Sequence, residues 1–562
     1  MRQTGVYRDA AMKVQGRAID DAARAEKGSF ALRIPSVGRW GASALSTAAL
    51  LTLAEPPWGV WPLAGIALVP WLVVVTSSRR WPGTVVGSLT VGTVWAWASA
   101  PWGPGALRSV DAGPFEALGG FLLGALWVKA IPFAIVGGLV HAARRRGGSL
   151  RIAVAGAAFL AVDWIPSTGS AGVPWALLGH SQAAALGVAQ LAAVGGVPLI
   201  SCFLAAINQA AAIAWETRGS RGSLRRLGAL VVAWGTTALL GLPLAQWLRS
   251  TVTPSGSPPP RVLLLVQPDI ARGERWAENL QASHLAKIAA ETQRALRAPG
   301  PPPDAILWPE NFLTAPLDRS PELAANLQAT VERLGVSVIL GAVRSANEGD
   351  PERYRSSVVW MKPRRGILAA IDKTRAFPLL EAGFSSHGAL LLARAFGGAG
   401  RGKRVEEAAR AGPLRGDFTL TAVLCYEALF PGLAAERRAP ESVALVNLAD
   451  DGWIGGASAT DQLAAFARFR AIEQRLPFVR VAHGGLSVAV DPFGATLLTL
   501  PENTWTHGRV EVRGGPPPGI VEKAALFALP LVTGAGVWWA LGRWSRHSSP
   551  GEATPSGGAL HG

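Results

Sequence analysis

The sequence is short of charge, of cysteine and of lysine, and each shortage excludes something. Charged residues are 16% of its 562 residues against 49% hydrophobic, and the mean hydropathy is positive at +0.26. A chain this long and this apolar is not one ordinary soluble domain; the length corresponds to about three or four domains. Two cysteines exclude a disulfide framework and a cysteine-rich zinc module. No His/Cys cluster has zinc spacing, and no glycine-rich phosphate cradle stands out. Only 8 of the 54 basic residues are lysine, so arginine carries the net charge of +16. That charge admits three partners: nucleic acid, an anionic membrane surface, or the membrane-insertion machinery that reads topology.

What the chain has instead is long apolar runs. Runs at 41–54, 61–76, 83–99, 116–140, 152–166, 183–214 and 227–247 predict seven membrane spans within a domain over 36–250, and a further run at 522–541 predicts an eighth in 521–542. Residues 1–35 are basic and polar and lack the apolar stretch of a secretory signal; they read as a disordered arm. The segment 543–562 reads as a disordered tail.

The arginines now discriminate between the partners. Arg79 and Arg80 follow the second run, Arg144, Arg145, Arg146 and Arg151 surround the fourth connection, and Arg218, Arg221, Arg225 and Arg226 precede the seventh run. The alternate connections at 55–60, 100–115 and 167–182 hold only Arg108. This is a positive-inside pattern. It predicts both termini in the cytoplasm and the segment between the last two runs outside it. No nucleic-acid stripe remains to be explained.

After a Pro/Ser/Gly linker at 251–260, the segment 261–520 changes character. Short β-branched runs at Val262–Gln267, Ala305–Trp308, Val336–Ala342, Ser357–Met361, Gly366–Asp372, Leu420–Cys425, Ser442–Leu448, Val479–Ala482 and Leu486–Val490 alternate with helical patterns at 275–297, 320–334 and 457–474. The alternation predicts a layered α/β domain. Three candidate reactive groups stand at strand ends: Glu310, Lys373 and Cys425. A cysteine nucleophile needs a base and a positive neighbour, and a carboxylate and an ammonium can supply them. Spacing alone does not say that the three meet.

The motifs around these residues, Trp308-Pro309-Glu310, Asp372-Lys373-Thr374-Arg375 and Cys425-Tyr426-Glu427, resemble those of the nitrilase (carbon–nitrogen hydrolase) superfamily. Further motifs are similar to those of bacterial apolipoprotein N-acyltransferases: Gly172-Val173-Pro174-Trp175, Leu178 to Gln182, Val266 to Ile270 with Trp276, and Ala467 to Glu473. The resemblance implies a polytopic α-helical membrane domain joined to an extracytoplasmic αββα sandwich. It implies a Glu310–Lys373–Cys425 triad, with Glu381, Glu427 and Tyr426 supporting it; Trp276 is either a core residue or part of a substrate loop. It calls for no cofactor and no metal. The implied partners are a phospholipid acyl donor and a diacylglyceryl apolipoprotein acceptor, both held in the bacterial inner membrane. Two other activities stay open at this point: a membrane-anchored amidase that passes its thioester to water, and a degenerate paralogue that binds lipoproteins.

Two departures from the family pattern stand out. Leu380 occupies a usual glycine position, and Ala449-Asp450-Asp451 replaces Ser-Asn-Asp, adding a carboxylate expected to raise the Cys425 pKa. Other residues have plainer expectations. Cys202 should pack, His180 should be a satisfied structural histidine, and Lys129, at mid-span, should snorkel or pair between helices. Trp58, Trp61, Trp81 and Trp102 suit an interfacial belt. Leu390–Phe396 is either a lipid-touching lid or an ordinary loop helix.

Overall fold

The computed structural model describes residues 36–108, 113–168, 172–252, 258–346, 353–377, 381, 404–452 and 457–547. The predicted arm 1–35, Leu380, Leu390–Phe396 and residues 548–562 of the predicted tail lie outside these residues; residues 543–547, expected to be disordered, instead continue the helix Ile520–His547.

Helical structure falls on each of the eight apolar runs, and among the described residues five helices are long and apolar enough to cross a membrane: Ala117–Ala143, Gly148–Thr168, Ala192–Glu216, Arg221–Thr251 and Ile520–Leu541. The first and third runs form helices Ser36–Ala54 and Trp81–Ser99. The second differs from a plain span. It starts as a 3-10 turn, Trp61–Gly65, and continues as the nine-residue helix Val69–Ser77, with a proline opening each piece. The run 183–214 is also broken. Its helix begins at Ala192, and Gly195 and Gly196 inside it leave helical geometry, Gly196 at φ +69°. A glycine pair is a common origin of such a kink.

Packing in this domain relies on close backbone approach rather than on a hydrophobic driving force. A Cβ on Gly92 would lie 2.6 Å from the Ala130 Cα and the Lys129 carbonyl, so only glycine lets these two helices meet. The last helix presents Ile520, Val521, Leu531, Val532 and Trp539 outward, a face suited to lipid. The Trp102 ring packs on Trp175, 4.9 Å between centroids.

The second domain contains two sheets. Strands β1 (Arg261–Gln267), β2 (Ala305–Leu307), β3 (Ser337–Ser345), β4 (Arg353–Lys362), β5 (Gly366–Asp372), β6 (Arg404–Val405), β7 (Leu414–Arg415), β8 (Thr419–Leu424), β9 (Ser442–Asp450), β10 (Phe478–His483), β11 (Ser487–Val490), β12 (Thr496–Leu500) and β13 (Thr506–Val512) divide between them. One sheet has the order β13-β1-β2-β3-β4-β5 with β6 beside β4; the other runs β12-β11-β10-β9-β8-β7. The centre of each sheet is parallel, β1-β2-β3 and β8-β9-β10; the outer pairings are antiparallel except that of β6, which runs parallel to β4. Buried parallel strands read as unbroken apolar runs, which is how β1 and β9 look in sequence.

The buried side chains define four layers. Leu263, Leu307 and Trp360 of the first sheet pack directly on Leu420, Val446 and Val481 of the second. The outer face of the first sheet, with Leu264, Ile306 and Leu340, covers Leu285, Ile288, Leu327 and Val331 of helices Gln281–Arg297 and Pro321–Leu334. The outer face of the second, with Val423, Leu445 and Phe478, covers Ala467 and Ala471 of helix Ala457–Gln474. This is the αββα sandwich. Strands β6, β7, β12 and β13 escaped the sequence reading; in β13, Thr506–Val512 mixes His507, Gly508, Arg509 and Glu511 among its apolar residues, and antiparallel pairing with β1 makes it a strand.

The two domains share a core. Ala465, Phe469 and Ile472 of helix Ala457–Gln474 belong to the same buried cluster as Leu191, Val197 and Leu204 of the membrane domain. Polar bonds reinforce the junction: Trp175 Nε1 donates to Gln462 Oε1 at 2.7 Å, and Gln190 Nε2 donates to the Phe493 carbonyl at 3.0 Å. His180 accepts from the Leu177 amide at 3.0 Å and packs on Phe466, which is the structural role expected of it.

Candidate active site

Cys425 stands where β8 stops being a strand. The chain turns sharply there into the 3-10 helix Cys425–Leu429, and Cys425 itself has φ +42°. A non-glycine residue in that region is strained and is held by its surroundings. Asn447 supplies part of the hold, its Nδ2 donating to the Val423 and Cys425 carbonyls at 3.2 Å each. The Cys425 Sγ lies 3.8 Å from the Asp450 carbonyl. Expected as the last strand residue, Cys425 instead opens a turn, and that turn sets the thiol beyond the sheet edge.

Glu310 follows β2 in the same way, one residue before Asn311 at φ +51°. The Trp308 amide bonds to the Ile339 carbonyl and the Gly341 amide to that of Pro309, so the short strand and its exit are stitched to β3. Gly341 is required here: a Cβ would fall 2.3 Å from the Glu310 Cα. Lys373 leaves the end of β5, its amide bonded to the Ser356 carbonyl at 2.8 Å.

The sandwich brings these strand ends together. Lys373 Nζ donates to Glu310 Oε1 at 3.0 Å and to Glu381 Oε1 at 2.7 Å. Ser356 Oγ donates to Glu310 Oε1 at 3.0 Å. The other carboxylate oxygen, Glu310 Oε2, is buried without a hydrogen bond among the described residues, so it is the oxygen able to take a proton. Burial pushes the Glu310 carboxyl up to about 7, against the pull of Lys373. Burial disfavours a charged Lys373, yet Glu310 and Glu381 outweigh it and hold the ammonium above its ordinary range. The Cys425 thiol is pushed up by burial and then by the Glu310 charge, with Lys373 pulling the other way. At rest the sulfur is a thiol beside a buried carboxylate of near-neutral pKa. Such a pair can exchange a proton when an electrophile arrives.

Glu381 and Glu427 act at different places. Glu381 touches the lysine, and its second oxygen accepts from the Phe377 amide at 2.7 Å. Glu427 lies behind the site. It accepts from the Thr374 amide at 2.8 Å and the Leu424 amide at 2.9 Å, clamping the lysine-bearing loop to the nucleophile strand. Arg437 completes it with bonds of 2.6 and 2.7 Å. Burial works against the Glu427 charge, and Arg437 more than offsets it, so the carboxyl sits below its usual range.

Tyr426 turns away from the sulfur: its hydroxyl donates to the Gly172 carbonyl of the membrane domain at 2.9 Å, and its ring packs on Phe377. Trp276 sits one layer out, its ring 5.7 Å from that of Tyr354 in a small cluster with Val343, Ala376 and Val405. The added carboxylate expected to perturb Cys425, that of Asp450, is paired with Arg275 at 2.7 Å, and its neighbour Asp451 is paired with Arg480 at 2.5 Å. Asp451 still raises the thiol pKa, but behind burial and Glu310. Ser356, Arg437, Arg275 and Arg480 were not legible as site residues. Each lies in a strand, a helix end or a loop with no motif, and only its partner gives it meaning.

A cysteine, a glutamate and a lysine at strand ends of an αββα sandwich are the arrangement of a nitrilase-type domain, here fused to a helical membrane domain. Residues 47–210 match the apolipoprotein N-acyltransferase N-terminal domain, and residues 265–511 match carbon–nitrogen hydrolase. Apolipoprotein N-acyltransferase of Brucella melitensis is 27% identical over 474 residues, covering 80% of this chain and 86% of its own length. That of Caulobacter vibrioides is 28% identical over 480 residues, covering 81% of this chain and 85% of its own. A carbon–nitrogen hydrolase of Helicobacter pylori, known by crystal structure, aligns over 45% of this chain and 89% of its own at 14% identity and a TM-score of 0.36. The chain belongs to the apolipoprotein N-acyltransferase family.

Proposed function

We propose that this protein moves an acyl chain from a membrane phospholipid to the N-terminal amine of an S-diacylglyceryl-cysteine apolipoprotein, through a thioester on Cys425. The observation that carries this reading is the buried Lys373 bridge between Glu310 and Glu381 beside the thiol, in a domain whose core is continuous with membrane helices. The named relatives match both domains, whereas an amidase reading draws on the second alone. The ordered carboxylate–ammonium pair supports an active enzyme over a degenerate binder.

The reaction balances in two halves. Glu310 takes the thiol proton as Cys425 Sγ attacks the ester carbonyl. The tetrahedral oxyanion is stabilised by Lys373, and on collapse the C–O bond breaks. The proton passes from Glu310 to the departing alkoxide, and lysophospholipid leaves. The lipoprotein amine then attacks the thioester, Glu310 accepts its proton, and the C–S bond breaks to give an amide and a thiolate that recovers the proton. No cofactor enters. Glu381 orients Lys373, and Glu427 fixes the spacing between the lysine loop and the nucleophile strand.

The arginine distribution supports an inner-membrane protein with both termini in the cytoplasm and the sandwich on the outer side, where both substrates are anchored. A reporter inserted at residue 255 should be active outside the cytoplasm. The chemistry is tested with purified protein and phospholipid: Cys425 should gain a long-chain, hydroxylamine-sensitive adduct, and a diacylated lipopeptide should then lose its free amine. Absence of any adduct on wild-type protein overturns the reading.

A further inference from the structure

Lys129 is a charged group that the chemistry above leaves unused. It is buried, on the π-helical turn Leu126–Ala130 that joins helix Pro114–Ala125 to helix Ile131–Ala143. Both facts need a reason, since a charge at mid-span is costly and π turns concentrate at functional positions. It does not snorkel to the membrane surface. Its ammonium lies 4.0 Å from the centre of the Trp95 ring and donates to the Ala176 carbonyl.

The carboxylates that face Lys129 are Glu55 and Asp163. Both are buried, and both Glu55 oxygens and Asp163 Oδ2 lack a hydrogen-bond partner among the described residues. An interhelix salt link would have placed the ammonium on one of them. The bond goes instead to a loop carbonyl, beside a cavity of about 20 Å³ lined by Trp95, Lys129, Asp163, Val173 and Leu177.

That loop leads to the nucleophile. Ala176 has φ +48°, a strained setting for a residue with a Cβ, so its peptide must be held from outside. Four residues earlier, the Gly172 carbonyl receives the Tyr426 hydroxyl at 2.9 Å. Between them Trp175 bonds to Gln462, whose Nε2 donates to the Ser99 carbonyl at 2.8 Å. Val173, Trp175 and Ala176 pack with Tyr426, Leu429 and Phe430 in one apolar cluster. Tyr426 directly follows Cys425, which is itself strained.

We propose that Lys129 is a positioning residue for catalysis: by holding the Ala176 carbonyl it sets the 172–177 segment, which fixes Tyr426 and through it the strained Cys425 turn. The bond transmits the membrane domain's geometry to the thiol. This rests on the acyltransferase reading.

The test uses full-length protein in phospholipid vesicles, with the single-turnover rate of Cys425 acylation followed by mass. Lys129→Met should slow acylation about tenfold to a hundredfold, the range expected when a reacting group is displaced by up to about an ångström. The phospholipid concentration for half-maximal rate should not change. Lys129→Arg should recover much of the loss. Tyr426→Phe should slow the step on its own, and Lys129→Met added to Tyr426→Phe should slow it little further, because both cut one linkage. Fully additive effects, or a weaker lipid dependence with an unchanged maximal rate, would overturn the proposal. The charge-neutral triple variant Glu55→Gln, Lys129→Met, Asp163→Asn guards against misfolding of the single variant. If it folds and acylates at the wild-type rate, the proposal falls; if it is as slow as Lys129→Met, the proposal stands. A wild-type protein that forms no acyl-enzyme would instead sink the acyltransferase reading itself.

Discussion

Lys373 and Glu310 meet at 3.0 Å with side-chain exposures of 0% and 1%. A buried pair of this kind contributes little net stability, because desolvation of both groups offsets their attraction. Its value here is electrostatic. The ammonium stays charged where an oxyanion would form, and the carboxylate is left basic enough to take a proton near neutral pH.

Lys373→Met should therefore lower the rate of Cys425 acylation by about a hundredfold to a thousandfold, the range seen when one oxyanion donor is removed. Lys373→Arg should not restore it, since a planar guanidinium cannot reproduce a point donor between Glu310 and Glu381. Hydroxylamine-sensitive labelling of Cys425 against time measures both. A wild-type rate in either variant would show that Lys373 has no part in the step.

The pH profile follows from Glu310. A base must be ionised to accept the thiol proton, and burial sets this carboxyl at about 7. Acylation should fall as pH drops below about 7, approaching tenfold per unit on the acid side. An acid limb centred near 4.5, the ordinary glutamate value, would mean that another group is the base. Glu310→Gln should remove the limb together with nearly all of the rate.

Glu427→Gln should act first on stability. It breaks a fully buried pair and leaves the Arg437 guanidinium without its carboxylate, a loss of about 3–5 kcal/mol. Because the folded carboxyl is held below its ordinary value, its contribution is complete above about pH 4.5 and disappears as pH falls through the folded value. Wild-type and variant melting temperatures should thus converge in acid. A constant gap across that window would contradict the assignment.

Gly341→Ala should impair catalysis from a strand that carries none of the three candidate reactive groups. The added methyl meets the Glu310 backbone at 2.3 Å, so either β3 or Glu310 must move. Overpacking of this kind costs about 1–3 kcal/mol, and displacement of the base should lower the acylation rate further than the stability loss explains. Parallel thermal melts and single-turnover rates separate the two effects.

Asp450→Asn, which restores the residue usual in the family, should destabilise this particular chain, because Arg275 is fully buried against that carboxylate. Combined with Arg275→Met it should cost less than the sum of the single changes, with a coupling of about 0.5–3 kcal/mol. Additive melts would show the pair to be independent.

The eight apolar runs and the order of strands and helices were legible because burial imposes a local signature, a long apolar stretch or a period of two or 3.6 residues. Motifs at strand ends located Glu310, Lys373 and Cys425 for the same reason: local chain geometry presents them. Trp276 and Tyr426 were located but not understood. Tyr426 bonds to Gly172, 254 residues away, and nothing near either residue in the chain announces the other. Strand β13 was hidden because its pairing with β1, across most of the second domain, outweighs a polar composition.

By itself, then, the sequence determined the two-domain plan, the arginine asymmetry and which three groups could react. These depend on composition and spacing along a short stretch. The tertiary structure alone decided that Lys373 bonds to Glu310 within reach of the Cys425 charge, that one Glu310 oxygen has no partner among the described residues, that the added Asp450 is paired with Arg275, and that Lys129 is bonded to a loop and not to a facing carboxylate. Those outcomes depend on distances between residues far apart in the chain, and on burial, which sets what a charge costs and therefore which partner it must find.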